Sequence, residues 1–190
     1  MTYYINPKVN DLEKDIVKGT VLGGSTIVKP TGGKNCYLSM RCKDGAWLDF
    51  KAYELRGLSS QEPVTIEKTN RWHSLCYPIF NDIRKAFWEG KERKIQEEIF
   101  PTLSFLSHMI WFGDVGTYKN GIVTFNTHIW GEEGTNKILN HFRCITYTSE
   151  IFMERKKFRI KFDTESSYRF VKSISSYMPR FMAERLSKFT

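Results

Sequence analysis

The segment GTVLGGS at residues 19–25 ends a helical pattern in the first part of the chain. Before and within it, Leu12, Ile16 and Val21 recur at the spacing that places side chains on one face of an α-helix. The glycine pair that follows is typical of a helix C-terminus. The sequence therefore predicts a helix over residues 12–23.

A second segment, MIWFGDVG at residues 109–116, repeats this arrangement about ninety residues later. Pro101 begins a helical pattern that carries Leu106 and Ile110 and stops near Gly116. Two helices with the same kind of C-terminal end indicate a chain built from two similar halves.

The strands predicted between the helices have one apolar and one basic face. In residues 35–43, Cys, Leu and Met alternate with Tyr, Ser, Arg and Lys, and residues 157–162 alternate between basic and apolar side chains. The coarse order α-β-β-α-β-α occurs twice, which predicts an α+β fold with halves at residues 1–100 and 101–190 in one compact, pseudo-two-fold chain. The basic faces would join into a cationic, saddle-shaped β-surface. The predicted helices span residues 12–23, 46–55, 79–88, 101–116, 135–144 and 166–177, and the predicted strands span residues 35–43, 64–74, 122–130 and 150–163.

The composition favours a polyanionic partner. The 190 residues include 29 Lys and Arg against 21 Asp and Glu, which gives a formal net charge of +8. Such an excess favours DNA or RNA, and a merely basic globular protein is the alternative. No apolar run reaches about 18 residues, and residues 1–11 show no apolar leader, so we expect neither a membrane span nor a secretory signal.

The cysteines and histidines give no sign of a metal site. The four cysteines form no Cys-x-x-Cys pair, and the histidines lack zinc-ligand spacing. We expect buried free thiols in a reducing compartment. The cysteines are Cys36, Cys42, Cys76 and Cys144.

In this order and spacing, the segments resemble the single-chain LAGLIDADG homing endonucleases encoded in introns. The first family motif reads like G-L-x-L-G-D-G/A and compares with residues 19–25, and the second reads like W-F-M-D-D-G and compares with residues 111–116. Residues 123–127 (VTFNT) resemble the family's V-L-N-T-Q strand, and residues 177–186 resemble its closing P-Y-x-x-P-x-M-x-Y-K-L. The resemblance spans about residues 12–186 and implies the LAGLIDADG fold, with two αββαββα-like halves.

The resemblance also implies that this chain lacks the acidic residue at the end of each motif. In that family the last acidic residue of each motif holds divalent metal ions that activate water. Gly24 and Val115 occupy those positions here, and neither side chain offers an oxygen ligand. Asp114 lies one residue earlier, about 100° around the helix, so we expect a solvated last-turn residue, with a shifted metal ligand as the alternative. The small residues that would let the two motif helices pack side by side are Gly19, Gly23, Gly113 and Gly116.

The basic positions of the family are better retained in this chain than the two acidic positions. Arg93, or its neighbour Lys94, falls near a family lysine, and Arg185 matches the closing lysine of the family. Such cations would bind phosphate, whereas cations on strands can also serve only to keep a sheet face soluble. The candidate nucleic-acid-binding residues are Lys34, Arg41, Lys43, Lys68, Arg71, Arg93, Lys94, Lys119, Lys157, Arg159, Lys161 and Arg185.

These observations predict a cleavage-inactive, nucleic-acid-binding protein derived from a homing endonuclease. The ligand would be a specific DNA site, for a regulator, or structured group I intron RNA, for a maturase-like splicing cofactor. We expect a monomer without cofactor in a bacterial or phage-infected cytoplasm, with an intron-bearing organelle as the alternative. An active endonuclease with a Mg²⁺ site at Asp114 is the second hypothesis, and an interaction protein with merely solubilising charges is the third.

Overall fold

The structure, a computed structural model, describes residues 9–187, with side chains described as far as residue 184. Short 3-10 turns connect several of its elements. The helices are α1 (Asp11–Leu22), α2 (Gly45–Glu54), α3 (Pro78–Phe87), α4 (Phe105–Val115), α5 (Gly131–Cys144), α6 (Thr164–Ile174) and α7 (Arg180–Ser187). The strands are β1 (Thr26–Val28), β2 (Tyr37–Cys42), β3 (Val64–Ile66), β4 (Thr69–His73), β5 (Trp88–Glu89), β6 (Glu92–Arg93), β7 (Gly116–Lys119), β8 (Ile122–Asn126), β9 (Ser149–Glu154) and β10 (Lys157–Phe162).

Two antiparallel sheets have the same internal order. The first sheet runs β1-β2-β4-β3, and the second sheet runs β7-β8-β10-β9. Each is preceded by a motif helix and followed by an amphipathic helix, so the order αββαββα occurs twice. The predicted α+β class is therefore confirmed. The short β5-β6 hairpin after α3 was not predicted, because strands of two residues show no periodicity.

The two motif helices, α1 and α4, pack against each other along their lengths. A Cβ atom on Gly19 would overlap the Ser107 carbonyl oxygen and lie 2.8 Å from Ile110 Cβ. A Cβ atom on Gly23 would lie 2.5 Å from Asp114 Oδ2. These two glycines therefore allow the close approach of α1 and α4, since any larger side chain would push the helices apart.

The other two glycines of this set lie elsewhere. Gly113 faces Trp47 of α2, where an added Cβ would overlap the indole ring. Gly116, the first residue of β7, lies against Phe112 of α4. Both glycines therefore make room for aromatic rings, and their expected place in the contact between α1 and α4 is corrected.

Capping residues set where the motif helices begin. Asn10 and Glu13 form a reciprocal capping box at the start of α1. The Ser104 hydroxyl accepts a hydrogen bond from the Ser107 amide, so α4 begins at Phe105 and not at Pro101. Pro101 instead lies within the preceding 3-10 segment, Glu97–Thr102.

The predicted strand over residues 64–74 is a hairpin. Strands β3 and β4 are joined by Glu67 and Lys68, whose φ angles are 48° and 63°. Non-glycine residues rarely adopt this left-handed conformation, so the turn lacked its usual glycine signal. Lys68 consequently lies in the turn and not on a strand face.

The inner faces of both sheets lie in one hydrophobic core. Leu38, Met40 and Trp72 are buried in the first half, and Phe125 and Ile160 are buried in the second. Among residues 9–187, no helix is both long enough and apolar enough to cross a membrane. The thiols are less uniform than expected, because Cys36 is buried and Cys42 half-buried while Cys76 and Cys144 are exposed.

Candidate nucleic-acid interface

The first motif end, residues 22–26, is held by an arginine and a tryptophan. The Arg93 guanidinium donates from Nη2 to the Gly24 carbonyl at 2.9 Å, to the Ser25 carbonyl at 3.0 Å and to Thr26 Oγ1 at 2.9 Å. Trp130 donates its indole N–H to the Leu22 carbonyl at 3.1 Å. Because the last carbonyls of a helix lack partners within the helix, these bonds stabilise the C-terminal end of α1.

The Arg93 guanidinium is packed between two indole rings. Its central carbon lies 5.0 Å from the ring centre of Trp88 and 5.4 Å from that of Trp130. Burial lowers the pKa of Arg93, and its Nη1 is buried without a hydrogen-bond partner. Arg93, which was predicted to bind phosphate, therefore binds the backbone of the first motif end.

The second motif end, residues 113–116, holds a buried ion pair. Asp114 Oδ1 accepts from the Lys51 ammonium at 2.6 Å and from the Trp47 indole N–H at 2.7 Å. The Lys51 side chain is 2% exposed and that of Asp114 is 10% exposed. Asp114 does lie in the last turn of α4, as expected, but its carboxylate is buried in an ion pair and not solvated. Its other oxygen, Oδ2, is buried beside Gly23 without a partner.

The residues at the two motif ends do not fit divalent metal ions. Gly24 and Val115 carry no side-chain oxygen, and Arg93 occupies the Gly24 carbonyl. Lys51 and Trp47 occupy one oxygen of Asp114, the nearest carboxylate. Among the residues that the structure describes, no group of three or more His, Cys, Asp or Glu could hold a metal ion.

A polar cavity of about 400 Å³ opens beside the first motif end. Gly24 and Ser25 form part of its wall, and Arg41 and Lys43 contribute exposed cations. Gly24 has a φ angle of 110°, which side-chain-bearing residues rarely adopt. The cavity therefore combines small residues at the degenerate motif position with the cations Arg41 and Lys43 and with two carboxylates, Asp44 and Asp114.

The outer face of the first sheet carries two arginines without an acidic partner. The register places Arg41 of β2 directly opposite Arg71 of β4. No carboxylate of the described chain lies within ion-pairing distance of either residue. Burial lowers the pKa of the neighbouring His73, and the positive charges of Arg41 and Arg71 lower it further. Positive charge is thus concentrated and uncompensated on this face.

The outer face of the second sheet differs, because two of its cations, Arg159 and Lys161, already have acidic partners. The Arg159 guanidinium lies 2.6 Å from Glu154, and the Lys161 ammonium lies 2.8 Å from Glu150. Lys157, opposite Glu154 in the register, is exposed.

The remaining candidate cations are spread over both halves. Lys34 is exposed in the bend before β2, and Lys119 is exposed at the end of β7. Lys94 forms an ion pair with Glu89 at 2.7 Å. The side chain of Arg185 lies outside the described residues. The structure therefore brings Arg41, Lys43 and Arg71 together at the first sheet and Lys157, Arg159 and Lys161 together on β10 of the second.

With this geometry established, sequence comparison decides the family. The sequence model described as the LAGLIDADG DNA endonuclease family matches residues 14–170. The chain belongs to this family. The predicted resemblance is confirmed, and comparison with curated proteins gives no significant match.

Solved structures of similar fold include LAGLIDADG enzymes in complex with DNA. The homing endonuclease I-WcaI bound to its DNA recognition sequence matches with a TM-score of 0.87 and 17% identity, over 94% of this chain and 87% of that chain. I-DmoI in complex with DNA and Mn matches with a TM-score of 0.57 and 10% identity, over 86% and 96%. Full-length DUF199/WhiA from Thermatoga maritima matches with a TM-score of 0.61 and 12% identity, over 96% and 61%. At these identities the matches establish the fold alone.

The roles of three residues at the motif ends of this LAGLIDADG chain were not predicted from the sequence. Lys51, Trp47 and Trp130 each contact a motif helix of the opposite half. Trp47 and Lys51 are four residues apart on α2, which places them on one helix face. That spacing was a usable signal, but Asp114 is 63 residues from Lys51 and no local pattern links them.

Proposed function

We propose that this chain binds nucleic acid through the outer faces of its two sheets and does not cleave it. The observation that carries this proposal is the chemistry of the motif ends. A cleaving member needs carboxylate oxygens there for divalent metals. In their place, Arg93 binds the backbone of the first motif end and Lys51 binds the carboxylate nearest the second.

The conformation of Gly24 is a further observation, beyond the missing carboxylate, that supports the loss of cleavage. Its φ angle of 110° is unfavourable for an aspartate, and the first motif end has Arg93 as a fixed cation. The two internal cations, Arg93 and Lys51, would also reduce electrostatic repulsion between the centre of the protein and a phosphate backbone. A cleaving member needs bound metal ions to screen its motif carboxylates, and this chain does not.

A polyanionic ligand accounts for the unpaired charge of the first sheet. Arg41 and Arg71 face each other without a carboxylate, and bound phosphates would relieve their repulsion. Similar folds have been solved in complex with DNA, so a specific DNA site is the first candidate ligand. Structured group I intron RNA is the other, and the binding experiment must compare both. We propose that the protein acts as a monomer, and its free cysteines suit a reducing cytoplasm.

The experiment is crosslinking of the tagged protein in its own cells, followed by sequencing of bound DNA and bound RNA. A discrete DNA peak supports a site-specific binder, and enrichment of one structured intron supports a splicing cofactor. Binding to the enriched sequence is then measured with EDTA and with Mg²⁺, and cleavage is assayed in parallel. For a DNA site we expect no gain of affinity in Mg²⁺ over EDTA, and we expect the substrate to remain intact.

Two outcomes contradict the proposal. Mg²⁺-dependent cleavage of the enriched site that disappears in Asp114→Asn would establish the shifted-site endonuclease. Absence of binding to either nucleic acid at low salt would favour an interaction protein. Genuine phosphate binding instead predicts that affinity falls about 10³–10⁵-fold between about 50 and 200 mM salt for about 6–10 phosphate contacts.

A further inference from the structure

The two sheets differ at their β3 and β9 edges. In the first sheet, Val64 of β3 lies opposite Arg71, and Ile66 lies opposite Thr69. Both side chains of β3 are exposed, by 53% and 43%. This edge therefore places apolar groups beside Arg71, and none of them competes with a phosphate for its charge.

In the second sheet, the corresponding edge strand is acidic. Buried Ile160 pairs with Ile151, which points β9 residues 150, 152 and 154 to the outer face. The register places Phe152 opposite Arg159 and Glu150 opposite Lys161. Both cations form ion pairs with carboxylates of this strand.

These arrangements have opposite electrostatic consequences. Like charges directly across a sheet, as at Arg41 and Arg71, repel each other until an anion binds between or above them. Arg159 and Lys161 of the second sheet are already paired, so a phosphate gains little by approaching either of them unless Glu150 or Glu154 moves away. Release of counterions on binding should therefore arise mainly at the first sheet.

The ion pair of Arg159 also fixes the direction of its guanidinium. Glu154 binds Nη1 at 2.6 Å, while the Arg159 Nε is buried without a partner. With Nη1 paired to Glu154 and Nε buried, Nη2 is the nitrogen that remains to donate in a fixed direction, and O6 or N7 of guanine in the major groove can accept from it. Such a residue suits the recognition of a base edge more than the attraction of the backbone.

We propose that the two sheets have different roles in binding a duplex. The first sheet, through Arg41 and Arg71, supplies most of the charge-driven affinity, and the second sheet, through Arg159 held by Glu154, supplies base selection. This inference rests on the proposed nucleic-acid binding and assigns separate tasks to its two half-sites.

The test measures the dependence of affinity on salt for a fluorescent random-sequence DNA duplex long enough to span both sheets. We expect Arg41→Gln and Arg71→Gln each to lower the slope of log K against log salt by about 1. The matched variants Arg159→Gln and Lys161→Gln should leave the slope unchanged. Glu150→Gln with Glu154→Gln should raise the slope, because this pair of changes frees two cations. Thermal melts verify folding, and exposed Arg41 keeps the test valid if the half-buried Arg71 variant unfolds.

A second readout compares affinity for the DNA site enriched from cells with affinity for a scrambled duplex of equal composition. Arg159→Gln should reduce this ratio about tenfold, and Arg41→Gln should weaken both duplexes equally. Two results would contradict this division of roles while leaving nucleic-acid binding intact. One is an equal loss of the salt-dependence slope in the variants of both sheets, and the other is an unchanged ratio of the two affinities in Arg159→Gln. If the unaltered protein binds structured RNA but neither duplex at low salt, the division of roles between the sheets in duplex binding is overturned. If it binds neither DNA nor RNA, the proposed function itself fails.

Discussion

Among single residues, Lys51 is a buried cation whose counter-charge lies on a helix of the other half of the chain. Its ammonium is 2.6 Å from Asp114 Oδ1 and 5.6 Å from the ring centre of Trp47. Replacing it by methionine would leave a buried carboxylate with the Trp47 N–H as its hydrogen-bond donor. We expect Lys51→Met to lower the free energy of unfolding by about 3–5 kcal/mol, measured by urea denaturation.

A matched variant separates this effect from the loss of any lysine. Lys94 also forms an ion pair, with Glu89, but both side chains are largely exposed, so Lys94→Met should change stability little. Adding Asp114→Asn to Lys51→Met should recover part of the loss, because it removes the stranded charge. Equal stability of the two single lysine variants would contradict the buried ion pair.

Local sequence could not predict the role of Lys51. The spacing of apolar residues placed it correctly within a helix at 46–55, and α2 spans Gly45–Glu54. A lysine in such a pattern is normally exposed, and burial becomes favourable only when a carboxylate meets it. Asp114 supplies that carboxylate across the packed helices, so the ion pair is a consequence of tertiary structure.

Among the elements, α4 and α5 are joined by a buried histidine pair. His108 Nδ1 lies 2.7 Å from the Ser104 carbonyl, which can only accept, so the neutral ring receives a hydrogen bond at Nε2 from His141 Nε2 at 2.9 Å. Burial lowers the pKa of His108 to about 4. Burial, and then the charge of His108, lower that of His141 to about 3. Both rings are therefore neutral in the folded chain at neutral pH.

This pair predicts a loss of stability in acid. Unfolded histidines bind protons below about pH 6.5, whereas the folded pair does so only near its lowered pKa values. The stabilisation is thus complete above about pH 6.5 and declines as the pH falls towards 4 and below. Each histidine adds a slope of up to about 1.4 kcal/mol per pH unit to the free energy of unfolding.

Urea denaturation between about pH 6.5 and pH 5 checks this slope before most carboxylates titrate. His141→Phe, which keeps an aromatic ring beside Phe100, should reduce the slope by about one proton. His128→Gln is the comparison, because His128 is exposed and lies outside the pair. Partial burial and the charges of Lys157 and Arg159 also lower the pKa of His128, but less than that of the pair, so this variant should reduce the slope less. A slope that is the same in all three proteins would contradict the neutral, buried pair.

Elements with strong periodicity were predictable, and turns without glycine were not. The predicted helix at 79–88 corresponds to α3 at Pro78–Phe87, because Phe80, Ile83 and Phe87 form its buried face. The hairpin of β3 and β4 was missed because its turn uses left-handed Glu67 and Lys68.

At the scale of the whole molecule, the fold was predictable because the same helix end occurs twice in the sequence. The two sheets then have equivalent strand orders, and the sequence matches the LAGLIDADG DNA endonuclease family over residues 14–170. The unequal charge of the two outer faces was not predictable. It depends on which carboxylate lies beside each cation, as with Glu154 and Arg159, and that requires the strand register.

Because its motif ends hold Arg93 and Lys51, the chain as a whole should be indifferent to divalent metals. A metal that binds only the folded state raises its stability, by about 2.7 kcal/mol at a hundredfold excess over Kd. We expect Mg²⁺, Mn²⁺ and EDTA to give the same Tm, measured by differential scanning fluorimetry. Duplex DNA at low salt is the positive control and should raise the Tm.

Restoring the acids tests whether geometry, and not only side-chain loss, prevents metal binding. In Gly24→Asp with Val115→Asp, the backbone at position 24 would be strained from its φ of 110°, and Arg93 would still occupy the neighbouring carbonyls. We therefore expect a lower Tm that remains insensitive to Mg²⁺. A Mg²⁺-dependent rise in Tm of this variant would show that the missing carboxylates are the sole obstacle. The same rise in the unaltered chain would instead place a metal ligand at Asp114, because its Oδ2 is the carboxylate oxygen there without a hydrogen-bond partner.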